Sequence, residues 1–152
     1  MPSDRFYTRL SMAAPAWALR WVGRLNVPVY RATGGRLLGS LDGAPLLLLT
    51  TTGRRSGQRR TAPVVYLADG ERMVVIGSNA GNAHAPAWAL NLEADPEAEV
   101  EVGRRRIAVR ARIAAGAERE ELWARMTAQY AGFDDYAAAT ARDIRLFVLE
   151  PR

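Results

Sequence analysis

The sequence predicts one α+β domain built around an antiparallel β-barrel or roll, with helices placed beside the strands. Three observations lead to this fold class. Apolar strand-like runs follow one another from Leu46 onward, short turns containing glycine join them, and helical patterns interrupt them only late in the chain. A length of 152 residues suits a single domain and is too short for two. We therefore expect residues 1–152 to form one domain.

Each element follows from the period of its apolar residues and from its turn chemistry. Asp69-Gly70 is a turn of the type expected between antiparallel strands, and Pro86 is preformed for the first position of a helix. Glu118 suits the first turn of a later helix because it complements the helix dipole. We predict strands at Leu46–Thr52, Arg59–Leu67, Arg72–Gly77, Ala98–Val102, Arg105–Ala114 and Ile144–Leu149, and helices at Pro86–Glu93 and Ala117–Tyr130.

Residues 1–30 read as an amphipathic helical segment. Helical spacing over residues 4–25, with a break at Pro15, places Phe6, Leu10, Trp17 and Trp21 on one face and arginines elsewhere. Two interpretations stay open: an interfacial helix that associates peripherally with a membrane, or a helix that packs on its own barrel or on a second subunit. Because arginines interrupt the apolar stretch, a secretory signal is disfavoured and we expect a cytoplasmic protein, with the inner face of the cell membrane as the alternative.

Composition restricts the chemistry. The sequence has no cysteine and one histidine, His84, which excludes thiolate sites and disfavours a histidine-rich metal site or a Ser-His-Asp triad. We read His84 as a surface loop residue. All 21 basic residues are arginine, the net charge is +5, and guanidinium groups suit phosphate and carboxylate, so we expect an anionic partner.

Residues 53–60, here called the arginine hairpin, place four arginines at and beside one turn. Such charge density favours solvent exposure or a bound anion. The Gly-x4-Gly-Lys and Gly-x-Gly-x-x-Gly phosphate motifs are absent from the sequence. A solvated basic turn, an anionic ligand and nucleic acid all stay open on charge alone, although no aromatic residues interleave with the patch as nucleic-acid stacking requires.

Three ordered blocks of sequence resemble the deazaflavin (coenzyme F420)-dependent nitroreductase family. The first is Leu48–Pro63, with its Thr-Thr-Gly-Arg-Arg-Ser-Gly-Gln-Arg-Arg run. The second comprises Tyr66–Gly70 and Val75–Asn79, and the third is Pro86–Pro96, with its Pro-x-Trp-x-x-Asn-Leu pattern. The resemblance covers about residues 20–150 and implies a split β-barrel of antiparallel strands, an FMN-binding-like roll with flanking helices.

The resemblance implies that the chain binds F420, a deazaflavin with a ribityl chain, a phosphodiester, a lactyl group and a polyglutamate tail. Arg54, Arg55, Ser56 and Arg60 are then expected to hold the phosphate and the carboxylates. Strand, loop and helix residues are expected to line the rest of the cofactor site: Thr61, Pro63, Val65, Ile76, Gly77, Ser78, Asn79, Ala87, Trp88 and Asn91.

By the same resemblance, the reaction is hydride transfer from reduced F420 to a small electron-poor acceptor such as a quinone, a nitroaromatic compound or an enone. Ser78, Tyr130 and Tyr136 are candidates for the catalytic proton donor, and Tyr130, Phe133 and Tyr136 are expected to contact the acceptor. An FMN-binding reductase and a non-catalytic module binding F420 or nucleic acid are the alternatives. Either a monomer or a homodimer is compatible with the sequence.

Overall fold

The computed structural model describes residues 27–37, 39–41, 44–77, 85–129 and 144–152. The described part of helix α1 spans residues 27–33 and is followed by the two-residue strand β1, Ser40–Leu41. The remaining elements, in chain order, are β2 (Ala44–Thr52), β3 (Arg59–Asp69), β4 (Arg72–Ile76), α2 (Ala87–Ala94), β5 (Glu97–Val102), β6 (Arg105–Ile113), α3 (Gly116–Gln129) and β7 (Leu146–Pro151).

Six of these strands close into an antiparallel barrel. The order β2-β3-β4-β7-β6-β5 is completed by pairing of β5 with β2, where Leu49 lies opposite Val100. Because every strand of the ring then has two hydrogen-bonded neighbours, closure removes the exposed strand edges that an open sheet would present. Strand β1 lies outside the ring and pairs only with the start of β2.

Alternating residues build a separate core on each face of the barrel wall. All six barrel strands supply apolar side chains to one cluster, which therefore fills the barrel interior; it includes Leu47, Val75, Val100, Val109 and Phe147. The second cluster lies outside the wall, on β2, β3, β4 and β7, where Leu48 and Val148 pack against α1 and α3. This two-sided burial explains why Leu46–Leu49 is apolar at every position.

The two ends of the barrel differ in what closes them. At the end that carries the arginine hairpin, here called the hairpin end, Ala89 and Leu92 of α2 enter the interior cluster and act as a plug. At the opposite end, the hydroxyl of Tyr30 on α1 accepts a hydrogen bond from the Gly103 N–H at 2.9 Å and donates to the Leu46 carbonyl at 3.1 Å. Arg31 pairs with the buried Glu101 at 2.9 Å beside it, which holds α1 on the outer wall.

Most of the predicted elements are confirmed with shifts of one or two residues. Strand β2 begins at Ala44, β3 continues to Asp69 and β7 runs to Pro151. Pro86 was expected to be the first helical residue, but with ψ of 151° it is the N-cap, and α2 begins at Ala87. The predicted amphipathic segment lies outside the described residues up to residue 26, and residues 27–30 belong to the described part of α1.

Within the described residues, no helix combines the length and the hydrophobicity that spanning a membrane would require.

Candidate functional site

The arginine hairpin folds as a short helical turn between two strands. The Gly57 N–H donates to the Gly53 carbonyl at 2.8 Å, and the Gly53 N–H donates to the Gln58 carbonyl at 2.7 Å. Gly57 has φ of +69°, which a residue with a side chain rarely adopts, and a Cβ on Gly53 would lie 2.6 Å from Ser56 Oγ. The sequence Gly-Arg-Arg-Ser-Gly therefore fits this turn, because Gly57 adopts the left-handed conformation and Gly53 leaves room for the Ser56 hydroxyl.

The turn presents donors that the described residues do not use. Ser56 Oγ accepts from the Gln58 N–H at 3.2 Å, which leaves its hydroxyl hydrogen free to donate. The N–H groups of Arg55 and Ser56 have no partner within the described part of the chain. Successive open N–H groups in a turn form a concave anion-binding surface.

Four exposed guanidinium groups surround these amides: Arg54, Arg55, Arg59 and Arg60. None of them forms an ion pair with a carboxylate among the described residues, although Arg59 Nη1 lies 3.4 Å from Thr52 Oγ1. Arg60 lies opposite Thr51 in the β2–β3 register and so shares the barrel face that is closed by α2. Among the described residues, the arginine hairpin therefore concentrates positive charge that no carboxylate neutralises.

Asn91 of α2 joins the hairpin to the plug. It is 3 % exposed, its Oδ1 accepts from the Arg54 N–H at 3.0 Å, and its Nδ2 donates to Thr51 Oγ1 at 3.0 Å. Arg54 Nη1 lies 3.5 Å from the same Oδ1. The predicted site residues Arg54 and Asn91 are thus in direct contact, although they are far apart in sequence.

The rest of α2 and the end of β4 complete this end of the barrel. The Trp88 ring meets Phe147 of the interior cluster edge to face, with ring centroids 5.9 Å apart. A Cβ on Gly77 would lie 3.1 Å from Ala89 Cβ, so glycine permits α2 to approach β4 closely. Because the Gly77 N–H already donates to the Arg145 carbonyl at 2.9 Å, a backbone contact from Gly77 to a ligand would use its carbonyl.

Other predicted cofactor residues lie on the outer face of the wall. Thr61 and Pro63 are half-buried there, and Thr61 Oγ1 is 2.8 Å from Thr50 Oγ1. Val65 and Ile76 belong to the outer core cluster and are 7 % and 3 % exposed, so their side chains serve mainly to pack the barrel against its helices. Ala87 is exposed at the start of α2.

The remaining predicted site residues lie outside the described residues. They are the proposed proton donors, the proposed acceptor contacts and one cofactor residue: Ser78, Asn79, Tyr130, Phe133 and Tyr136. His84 also lies there. Their roles stay predictions.

A cleft of about 230 Å³ lies at the same barrel end, between α2, β6 and β7. Its wall is largely apolar, with Leu92, Ile113 and Phe147. The cation that reaches it, Arg112, already pairs with Glu118 at 2.5 Å and with Glu150 at 2.7 Å. The described residues that line this cleft therefore offer no unpaired cation to an anionic group, in contrast to the arginine hairpin.

Sequence reasoning missed Thr51, the fully buried partner of Asn91. Three consecutive threonines look alike in sequence, yet strand alternation places Thr51 on the interior face and its neighbours on the outer face. The two-residue alternation of the strand was the available signal. Thr51 points to the same interior face as Leu47 and Leu49, and a polar residue buried on that face needs a hydrogen-bond partner.

Comparisons with known proteins identify the family of this chain. Residues 21–151 match the sequence model of the F420H(2)-dependent quinone reductase family. An F420H(2)-dependent quinone reductase of Mycobacterium tuberculosis is 35% identical over 144 residues, covering 90% of this chain and 97% of the relative.

Two solved structures extend the likeness to the fold. One is an F420-H2 dependent reductase (FDR-A), at 31% identity and a TM-score of 0.65, covering 70% of this chain and 94% of that one. The other is described as a domain-swapped dimer, at 28% identity and a TM-score of 0.66, covering 86% of this chain and 98% of that one. The chain therefore belongs to the F420H(2)-dependent quinone reductase family, and is an F420-dependent oxidoreductase with a split β-barrel fold.

Proposed function

We propose that the arginine hairpin holds the phosphodiester and glutamate carboxylates of F420, and that the chain uses the reduced cofactor to reduce a quinone. One observation carries the proposal: exposed arginines without carboxylate partners among the described residues surround two backbone N–H groups that also lack partners there.

The donors of the hairpin suit the anionic part of this cofactor. A phosphodiester offers oxygens that accept from adjacent backbone N–H groups, and those of Arg55 and Ser56 are consecutive. A flexible chain of carboxylates needs several cations that can each form a charge-assisted contact, which Arg54, Arg59 and Arg60 supply around the turn. FMN has a shorter anionic part and would leave more of these cations unused.

When bound, reduced F420 supplies a hydride to an electron-poor acceptor. The hairpin residues bind and orient the anionic chain, while Trp88 and the Gly77 carbonyl limit the space at the plugged end of the barrel. A two-electron reduction of a quinone also requires protons. We assign that task to the hydroxyl of Ser78, Tyr130 or Tyr136, and substrate contact to Tyr130, Phe133 and Tyr136.

Quinone is the acceptor class that we propose first because the family and the relative from M. tuberculosis are both named for it. Nitroaromatic compounds and enones share its electron-poor conjugated system and are proposed as further acceptors. Oxidation of reduced F420 by menadione, by a nitroimidazole and by cyclohexenone, followed at the cofactor absorbance, ranks the three. Faster turnover of the nitroimidazole than of menadione would reverse the order.

Separate titrations with F420, FMN and a short oligonucleotide test the cofactor assignment. We expect F420 to bind tightly, with a change in its fluorescence, and the other two to bind weakly or not at all. Tight binding of FMN without binding of F420 would overturn the assignment. Binding of the oligonucleotide alone would identify the basic patch as a nucleic-acid surface.

The amphipathic pattern of residues 1–30 supports a proposed peripheral association with membranes. Liposome flotation of the wild type and of a Trp17→Glu/Trp21→Glu variant tests it. We expect the wild type to float with anionic vesicles and the variant to stay in the soluble fraction. Equal recovery of both in the soluble fraction would remove the membrane role.

We also propose a homodimer as one state of the chain, supported by the related domain-swapped dimer. Light scattering after size exclusion measures the mass directly. A mass near 33 kDa, twice the 16.7 kDa of the chain, is expected, and a mass of one chain at all concentrations would contradict it.

A further inference from the structure

Asn91 stands out among the proposed cofactor residues because it is buried and already engaged. Its side chain is 3 % exposed, whereas the arginines that it supports are exposed. We propose that Asn91 is a positioning residue that fixes the anion-binding conformation of the arginine hairpin. This inference rests on the proposed function and gives Asn91 a role beyond the cofactor contact predicted for it.

The hydrogen bonds of the carboxamide all point into the protein. Oδ1 accepts from the Arg54 N–H at 3.0 Å, and Arg54 Nη1 is 3.5 Å away. Nδ2 donates to the fully buried Thr51 Oγ1 at 3.0 Å. Oδ1 is engaged by Arg54 and Nδ2 by Thr51, so both polar atoms of the carboxamide are anchored to the protein.

The place of this contact in the turn explains its effect. Residues 53–57 form one helical turn, and the first N–H groups of a helical turn have no partner within it. Asn91 Oδ1 caps the amide of Arg54, as an N-cap side chain does in a helix. The next two amides, of Arg55 and Ser56, have no partner among the described residues and stay available as donors for an anion.

The same contact ties two parts of the proposed site together. Asn91 and Trp88 lie three residues apart on α2, on neighbouring positions of the helix. The hydrogen bonds of Asn91 to Arg54 and Thr51 are here called the clamp. The clamp therefore fixes the separation between the arginine hairpin, which receives the anionic chain, and the helix that closes the barrel. Loss of the clamp is expected to affect a ligand that needs both parts and to spare one that needs only α2.

Two ligands and an exchange measurement test the inference. The ligands are F420 and its ring–ribityl fragment, which lacks the phosphodiester and the tail. Hydrogen exchange of the Arg54 amide reports on the clamp without any ligand. For Asn91→Ala we expect faster exchange at Arg54, about tenfold weaker F420 binding, and fragment binding unchanged within about twofold.

Two further variants separate the clamp from folding and from direct contact. Asn91→Asp retains the acceptor for the Arg54 N–H and should keep that amide protected, although its added charge disfavours an anionic ligand. Thr51→Val removes the partner of Nδ2 while conserving shape, and should weaken F420 binding by about threefold in the same selective manner. It also tests the inference if Asn91→Ala fails to fold.

Equal losses for F420 and the fragment would identify Asn91 as a direct ligand of the ring and overturn the inference. Unchanged Arg54 exchange in Asn91→Ala would overturn it as well. Failure of the proposed function looks different: the wild type would then bind no F420, whereas the exchange measurement would still report whether Asn91 clamps the hairpin.

Discussion

Arginines occupy two contrasting settings in this molecule: the hairpin, and the barrel wall with α3. On the wall and α3 they pair with carboxylates, as Arg110 does with Glu97 at 2.6 Å and Arg125 with Asp69 at 2.9 Å. Arg112 joins Glu118 on α3 to Glu150 on β7. In the hairpin, the arginines have no carboxylate partner among the described residues.

This difference in pairing indicates a difference in role: the paired arginines stabilise the fold, whereas the hairpin arginines are available to bind an anion. Paired arginines join neighbouring strands and hold α3 on the barrel, and exposed pairs of this kind each contribute little stability. Arg36, Arg104 and Arg105, at the end opposite the hairpin, also lack carboxylate partners among the described residues. Beside Arg36, however, the N–H groups of residues 34–37 all donate to acceptors at the end of α1, so no pair of open amides like that of Arg55 and Ser56 accompanies this cation.

The largest effect is expected from removing hairpin cations. Arg55→Ala/Arg60→Ala should weaken F420 binding by about 100-fold or more, since each charge-assisted contact contributes about 1.5–3 kcal/mol. The matched control is Arg104→Ala/Arg105→Ala, which removes the same charge at the other end. Fluorescence titration of both variants checks the prediction, and similar losses in the two would show that net charge alone attracts the cofactor.

A change at Gly77 tests whether the hairpin end depends on the close approach of α2. The side chain in Gly77→Val would collide with Ala89, so we expect a loss of about 1–3 kcal/mol in the free energy of unfolding, together with weaker F420 binding. Denaturant unfolding and titration measure the two effects. The control is Gly70→Asn, because Gly70 has φ of +61° and open space around it, and asparagine tolerates that conformation. Equal destabilisation by both variants would contradict the account.

A smaller effect is expected from breaking a structural ion pair. Asp69 receives hydrogen bonds from Arg125 and from Arg72, which tie the β3–β4 turn to α3. Asp69→Asn should lower the free energy of unfolding by less than about 1 kcal/mol, because the groups are partly exposed, and it should leave the F420 dissociation constant unchanged. A loss of cofactor affinity in this variant would break the distinction between structural and functional arginines.

The smallest effect is expected on the stability of the fold when the pH is lowered. The hydrogen bonds from Arg125 and Arg72 lower the pKa of Asp69 below its ordinary value of 3.8, and Arg112 lowers the pKa of Glu118. A lowered folded-state pKa gives stability that is fully present above the unfolded value and is lost as the pH falls through the folded value. Thermal unfolding between pH 6 and pH 2 should therefore show a decline confined to the acid side of about pH 4, and Asp69→Asn should reduce it. An equal decline in the wild type and the variant would remove Asp69 as a contributor.

Local features of the fold could be predicted from the sequence, but long-range ones could not. The strand pairs around Gly53–Gly57 and Asp69-Gly70 follow from apolar runs and turn residues that are adjacent in the chain. Pairing of β2 with β5 joins residues about 50 positions apart and depends on how the whole barrel closes. No local pattern specifies that pairing.

The candidate site likewise combines local features that could be predicted with long-range contacts that could not. The arginines and glycines of the hairpin could be identified because their residue types are unusual at that density. The contact between Asn91 and Arg54 could not, because it depends on where α2 meets the barrel. Val65 is a different case: the family resemblance predicts that it lines the cofactor, and strand alternation places its side chain in the outer core.

The most direct test of the account compares F420 with its ring–ribityl fragment on the wild type and on Arg55→Ala/Arg60→Ala. If the unpaired hairpin arginines hold the anionic chain, the wild type should bind F420 about 100-fold more tightly than the fragment, and the variant should bind both with similar, weak affinity. Equal affinities of the wild type for both ligands, or an undiminished preference for F420 in the variant, would contradict it.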